Sequence, residues 1–351
     1  MDTVALLRTL TDAVGVAGFE DEVREAIRRL VEPLADEVRT DVLGNLLVTR
    51  RGRSDVTVML DAHMDEIGLI TSHIDDKGFV RFATLGGWDT RILPAQMATI
   101  RTRDGRRVRG VIGSLPPHVL KPEERDKPIP PDSLVIDVGV FSADQARALG
   151  LGVGDPVVLG HPLEVLREGW VVGRNFDDRA GCAVLVKVLE SLAERPPDAT
   201  VVCAFAVSEE TGLRGARTAA YQVNPQVALA VEATAAADLP GVAPQRQPTA
   251  LGGGAAITVA DQSIVVSQRM VRALEELARR HEVRYQIKLP LFGGTDAGAI
   301  HTTRAGVLAG VVSVPVRYIH SPVGLMALDD FEQVVRLVGA FVQEARALLG
   351  L

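Results

Sequence analysis

Four apolar runs, far apart in the chain, each lead into residues able to hold a metal ion. Residues 56–60 run into Asp61-Ala62-His63-Met64-Asp65, and residues 201–207 into Ser208-Glu209-Glu210. Residues 227–231 are followed by Glu232, and residues 307–316 reach His320 through Arg317-Tyr318-Ile319. Short runs of β-branched residues read as buried strands. Ligands of open α/β sheets sit just beyond the carboxyl ends of such strands. Strands ending this way deliver imidazoles and carboxylates to one edge, which points to a metal-centred active site.

The rest of the chain supplies the helices such a sheet needs. Helical periodicity covers 4–14 and 21–31, interrupted by Gly15 and Gly18, with Glu20-Asp21 as a capping region. A hairpin is expected at 37–41 and 45–50 around Leu43-Gly44. Further helices are expected at 178–194, from 215, at 263–282, at 297–303 and at 329–349, the last with Asp329-Asp330 in its first turn. Strands are expected at 198–207, 284–288 and 307–314. From 73 to 162 the texture differs: strand-like pieces alternate with turns, a Pro-rich stretch fills 115–131, and only 143–149 has helical periodicity. That module reads as a small β-barrel. The first metal strand precedes it and the others follow, so it reads as an insertion. The expected fold is α/β, a mixed central sheet flanked by helices, with a catalytic domain of residues 1–72 and 163–351 and a β-rich domain of residues 73–162.

Composition narrows the function. A formal net charge of −7 and a pI near 5.6 argue against a nucleic-acid partner. No apolar run approaches a membrane span, and Met1-Asp2-Thr3-Val4 lacks the pattern of a signal peptide. The two cysteines, Cys182 and Cys203, sit in apolar surroundings without CxxC spacing, so a reducing, cytoplasmic location is expected.

Each candidate side chain has a plain alternative. His63 and Asp65 share one face of an extended segment, so Asp65 can orient the imidazole; a bare HxD is a weak pattern. Asp177-Asp178 opens a helix, where a carboxylate can bridge two cations or simply cap. Glu209 and Glu210 repel one another unless cations compensate, which lets one bind metal and the other move a proton; a solvated acidic loop is the alternative. Glu232 among apolar neighbours is costly without a partner, while His320 before Ser321-Pro322 also suits a loop histidine. Of the remaining histidines, His73, His118, His161 and His281 fit the site poorly, and His301 follows the Gly-rich loop closely enough to line it.

Taken in order, these residues resemble the M42 family of metallo-aminopeptidases. The resemblance is carried by Asp61-Ala62-His63-Met64-Asp65-Glu66-Ile67-Gly68, Asn175-Phe176-Asp177-Asp178-Arg179-Ala180-Gly181, Val207-Ser208-Glu209-Glu210-Thr211-Gly212-Leu213-Arg214-Gly215-Ala216, Gly293-Gly294-Thr295-Asp296-Ala297 and Ile319-His320-Ser321-Pro322. It spans nearly the whole chain. It implies two divalent metal ions per subunit, zinc first, with cobalt or manganese as alternatives. Asp177 would bridge them, His63 and Glu232 would complete one site, and Glu210 and His320 the other. Glu209 would be the general base and Asp65 the partner of His63, with a cis peptide between Asp177 and Asp178. Several family members have Asp where this chain has Glu232.

The resemblance also implies short peptide substrates and a homo-oligomer assembled through the β insertion, from dimers up to a tetrahedral dodecamer. A metal-dependent deacylase or amidohydrolase is the alternative with the same residues, and a non-enzymatic metal-binding scaffold the alternative of another class. A glycosidase is disfavoured by an aromatic content of 4%. No Arg or Lys can be assigned to a side-chain pocket from the sequence, so a neutral or aliphatic N-terminal residue is expected.

Overall fold

The computed structural model describes every residue but 117, 125–126 and 290–291, so part of the Pro-rich stretch lies outside the described residues. The chain opens with helices α1 (Thr3–Asp12) and α2 (Asp21–Val31), then strands β1 (Glu37–Thr40), β2 (Leu46–Arg50) and β3 (Thr57–His63). Six strands close a barrel: β4 (Gly68–Ile74), β5 (Val80–Leu85), β6 (Met97–Arg101), β7 (Arg107–Ile112), β8 (Ile136–Asp137) and β9 (Pro156–Leu159), with helix α3 (Ala143–Ala148). The chain then forms β10 (Glu164–Arg167), β11 (Trp170–Gly173), α4 (Phe176–Glu194), β12 (Thr200–Ala206), α5 (Arg214–Val223) and β13 (Val227–Ala235). It ends with β14 (Ala255–Thr258), α6 (Gln268–Arg280), β15 (Tyr285–Lys288), α7 (Ala297–Ile300), β16 (Leu308–Arg317), β17 (Gly324–Ala327) and α8 (Leu328–Leu349).

Eleven strands make one mixed sheet in the order β1-β2-β12-β3-β13-β16-β17-β11-β10, with β14 and β15 branching from β16. Its centre, β12-β3-β13-β16, is parallel. Parallel strands covered on both faces read as continuous apolar runs, and Val58, Met59, Leu60, Leu229, Val231, Val311 and Val312 are all buried. Helix α4 packs on β3 and β13 and is covered by α1 and α8, while α5 and α7 touch one another and cover β12, β3, β13 and β16. The fold is thus α/β, with a large mixed sheet flanked by helices and a closed six-stranded barrel.

The structure differs from the sequence reading in where the barrel begins, at Gly68 rather than 73, in strands β10, β11, β14 and β17, which that reading lacks, and at several element ends. Helix α6 begins at Gln268 rather than 263, because Ser267 caps it and Asp261 turns residues 263–264 into a loop by accepting their amides. Helix α7 stops at Ile300. Strand β13 continues past Glu232 to Ala235, held by pairing with β16 as far as Val316.

Ion pairs tie the barrel to α2. Arg101 on β6 grips both carboxylate oxygens of Asp21 at 2.9 and 2.5 Å, and Arg107 on β7 reaches Glu22 at 2.7 Å. Burial raises the Asp21 pKa, but hydrogen bonds and charge from Arg101 outweigh it and leave it below the ordinary 3.8. A carboxylate lowered on folding stabilises the protein above its unfolded pKa, and that gain is lost as pH falls through the folded value. Asp21→Asn is therefore expected to cost about 0.5–1 kcal/mol at neutral pH, the scale of a half-exposed pair, and to flatten the acid limb below about pH 4. Urea unfolding across that limb checks it; identical acid limbs in parent and variant would remove the assignment.

Candidate metal centre

Strand geometry aims the candidate side chains at one point. His63 ends β3, and Asp61 pairs with Ala230 across β3 and β13. His63 and Glu232, each two residues further on, therefore project from the same face. Glu232 was expected at a strand end; it stands inside β13, which runs three residues beyond it. After β12 the chain turns at Ser208, with φ 57°, into Glu209 and Glu210. Three consecutive amides of that turn are captured by carboxylates: Ser208 N–H by Glu20 at 3.1 Å, and Glu209 and Glu210 N–H by the two oxygens of Asp65 at 2.9 and 3.1 Å. Beyond β16, left-handed residues Tyr318 and His320 turn the second imidazole back to the sheet. Asp177 and Asp178 are joined by a cis peptide bond, and both depart from helical geometry at the start of α4.

Asp177 sits between the imidazoles. Its Oδ1 lies 3.1 Å from His63 Nε2 and its Oδ2 3.2 Å from His320 Nε2. On the first side Glu232 Oε2 is 3.7 Å from His63 Nε2; on the second Glu210 Oε1 is 3.4 Å from His320 Nε2. Glu209 Oε2 stands 3.8 Å from His63 Nε2. His63 Nδ1 donates to the Asp65 carbonyl at 3.0 Å, and His320 Nδ1 to the Gly87 carbonyl at 3.0 Å. A carbonyl only accepts, so these contacts place a proton on Nδ1; Nε2 also carries one where it donates to Asp177, and a cation bound there would take that proton's place. The Asp65 carboxylate is 3.5 Å from the His63 ring, further than its own carbonyl.

This donor set fits divalent cations. Ligand atoms of His63, Asp177 and Glu232 lie within 4.8 Å of one another, as do those of Asp177, Glu210 and His320. His63 also groups with Glu209 and Glu210; the two sets sharing Asp177 make the better description, because each uses a separate oxygen of that carboxylate. Glu210 Oε1 is buried without a hydrogen bond, although an imidazole nitrogen is near. Protonation follows the same crowding. Burial disfavours imidazolium at His320, yet Asp177 and Glu210 raise its pKa to about 11. At His63 burial is likewise outweighed, by Glu209, Asp177 and Asp65. Glu209 is pushed well up by burial and by Asp296, Glu232 and Glu210, against the pull of His63. Burial would raise Asp177 too, but hydrogen bonds from both histidines hold it far below the usual range.

Several further participants lie within the motifs of the family resemblance, where the sequence reading gave them no part in the site. Asp61 and Asp296 are fully buried behind Glu232. Burial raises both, Asp61 to about 8, and the contact between them favours a proton on Asp296. Asp178 accepts the His63 amide at 3.2 Å. Arg179 is fully buried and donates to the carbonyls of Met64, Leu10, Ala13 and Gly15 and to Glu66. Glu66 also pairs with Arg174. The cleft over the centre has a volume of about 550 Å³ and is lined in addition by Lys288, Phe292 and Thr295. His301 does not line it; its ring turns back to the Ala297 carbonyl at 2.9 Å. His281 pairs with Glu344 on α8.

A sheet that gathers two imidazoles and three glutamates around one aspartate suits metal-assisted hydrolysis. A sequence profile of the M42 glutamyl aminopeptidase family matches residues 44–337. The chain belongs to that family, and with it to the peptide hydrolases, which removes the scaffold reading. The lysyl aminopeptidase of Pyrococcus furiosus is 32% identical over 350 residues, covering 98% of this chain and 97% of the relative. The TET aminopeptidase of a Thaumarchaeota archaeon superposes with a TM-score of 0.95 at 37% identity, covering 99% and 98% of the two chains. Pyrococcus horikoshii TET1, a peptidase that assembles into a tetrahedron or an octahedral shell, gives 0.88 at 33% identity, covering 98% and 100%. Members of the family depend on metal ions, in keeping with the donor set here.

Among the described residues, Glu66 is the one carboxylate paired with the buried Arg174 and Arg179. Removing one partner of a buried pair leaves charge uncompensated, at a cost of about 3–5 kcal/mol. Glu66→Gln is expected to lose that much in denaturant unfolding; a loss below about 1 kcal/mol would mean that the carbonyls around Arg179 suffice.

Proposed function

We propose that this protein is a dinuclear metal-dependent aminopeptidase that removes N-terminal residues from short peptides. The observation that carries the reading is Asp177, whose two oxygens face two different imidazoles. His63, Asp177 and Glu232 would hold one ion, and Asp177, Glu210 and His320 the other. Zinc leads, with cobalt or manganese suited to the same donors. Bound ions supply Lewis acidity at the scissile carbonyl and lower the pKa of water.

The chain's own groups do the rest. Glu209 reaches the cleft without being needed as a ligand in either set, and its raised pKa suits a group that takes up a proton and releases it. It accepts a proton from the attacking water and returns it to the leaving amine. Asp65 fixes the backbone of Glu209 and Glu210, so the base and one ligand move as a unit. Asp65 thereby positions the base and, through its carbonyl, the His63 ring. A homo-oligomer is proposed by likeness to the assembling relative, with the six-stranded barrel as its assembly unit, as the family resemblance implies.

The test is hydrolysis of aminoacyl-p-nitroanilides and their N-acetylated counterparts by chelator-treated protein, before and after metal is restored. Metal-restored turnover of free amino substrates alone is expected; turnover of acetylated substrates alone would make the protein a deacylase. Glu209→Gln is expected to lower kcat by about 10²–10⁴-fold with both ions retained by elemental analysis. Asp177→Asn is expected to lose bound metal. Full turnover in the first variant would overturn the base, and undiminished metal binding in the second would overturn the bridge.

A further inference from the structure

Two strands close the main run of the sheet, β1 at one end and β10 at the other. An edge strand offers unpaired N–H and C=O groups to any chain that can lie beside it, and a protein with no use for that edge blunts or covers it. The side chains of β1 are engaged within the molecule. Glu37 pairs with Arg51, Arg39 donates to Gln222 at 2.9 Å, and Thr40 accepts from Arg28 at 2.6 Å. Those of β10 are not. All four of its residues are exposed, Val165 by 50% and Leu166 by 62%. Among the described residues no ion pair or hydrogen bond engages the Glu164 side chain, and that of Arg167 meets only the Trp170 ring, 4.8 Å from its centroid.

The order Glu164-Val165-Leu166-Arg167 is complementary to its own reverse. Glutamate at one end answers arginine at the other, and valine answers leucine. Residues directly opposite in an antiparallel pair share a face of the sheet, so the match is useful only if Glu164 and Arg167 point the same way. In a regular strand, residues three apart point to opposite faces. Here the pairing with β11 changes that. Glu164 stands opposite Val172, Val165 opposite Val171 and Arg167 opposite Trp170, with a register shift between 165 and 167. Val172 and Trp170 are two residues apart and share a face, so Glu164 and Arg167 share it too. Val165 and Leu166 together oppose Val171, which is fully buried. The bulge thus sorts β10 into a charged face and an apolar face, and the apolar pair stays exposed beside a core residue.

We propose that β10 is a self-pairing interface, lying antiparallel to β10 of a second copy of this chain about a two-fold axis between Val165 and Leu166. Glu164 of each copy then faces Arg167 of the other, and Val165 faces Leu166. Such a contact is isologous, so each edge is used once and the sheet closes at two copies instead of growing into a fibre. It joins the large sheets rather than the barrels, and it depends neither on the aminopeptidase reading nor on assembly through the barrel. Four residues bury less than the roughly 1,200–2,000 Å² of a standard interface. On its own the contact is therefore reversible and concentration-dependent.

Charge reversal tests the pairing. Full-length protein is followed by sedimentation velocity across the micromolar range as the parent, Glu164→Arg, Arg167→Glu and the double exchange. The parent is expected to show an association step. Each single exchange sets like charges opposite one another at two symmetric positions and should weaken that step roughly 10- to 100-fold. The double exchange restores both pairs and should recover most of the affinity. Leu166→Lys should weaken the same step by placing a charge in the apolar pair. Thermal midpoints should not move, because the replaced side chains are exposed. If the barrel also assembles, the single exchanges should reduce the particle to its barrel-held unit, and the double exchange should rebuild it. A parent without association, an association unmoved by the single exchanges, or a double exchange no better than the singles would each overturn the pairing.

Discussion

Like charge gathered at a dry sheet edge is the constraint around which this protein is arranged. Asp61, Asp65, Asp178, Glu232 and Asp296 are buried, and Asp177, Glu209 and Glu210 line the same region. Carboxylates so placed repel one another and lose hydration, so each needs compensation. Backbone amides supply much of it. Asp65 takes the amides of residues 209 and 210, Asp178 those of 63 and 181, and Glu232 that of 296. These bonds also fix positions: the strand ends and turns that deliver the donors are held by the neighbours of those donors. Asp177 is compensated by the two imidazoles it faces, while the carboxylates of Asp61 and Asp296 and Glu210 Oε1 keep no hydrogen bond among the described residues, so the surplus of negative charge around Asp177 suits a cation.

The same logic explains which parts were legible in the sequence. His63, Asp177, Glu209 and Glu210 stand in local motifs beside strands or a helix start, so a short window reveals each. The central parallel strands were legible for a related reason, being apolar throughout. Glu232 was found, but for a partly mistaken reason, because pairing with β16 carries β13 beyond it. Lys288 enters the cleft at the end of β15 and nothing in its neighbours signals a pocket, whereas Asp296 stands in the Gly-rich motif, which gives no sign that its carboxylate is buried beside Glu232. The Glu66-Arg174-Arg179 network joins segments more than 100 residues apart, between 66 and 174 and between 66 and 179. Burial of arginine is invisible in composition, since Arg is usually exposed.

Arg179 gives that network its reach. A guanidinium presents several donors in a fixed plane, and here they collect carbonyls from the end of α1, from Gly15 and from Met64 directly after His63. The close approach leaves no room at Gly15, where an added Cβ would lie 2.8 Å from Arg179 Nη2 and 2.5 Å from Val23. The N-terminal helices are thereby keyed to the strand that carries the first imidazole. Glu20, which opens α2, completes the link from the other side through the Ser208 amide and hydroxyl.

The barrel is more than an attached module. Gly87 lies in its connection between β5 and β6, and its carbonyl is what holds His320 Nδ1. An added Cβ there would stand 3.2 Å from the same nitrogen, so the close approach depends on glycine. The Trp88 indole in turn donates to the Gly68 carbonyl at 2.9 Å, fastening this loop to the start of the barrel. One imidazole is therefore oriented from within the large sheet, by the carbonyl of Asp65, and the other from the barrel. The candidate centre is thus a joint between the two units, each imidazole being oriented by a carbonyl from a different one.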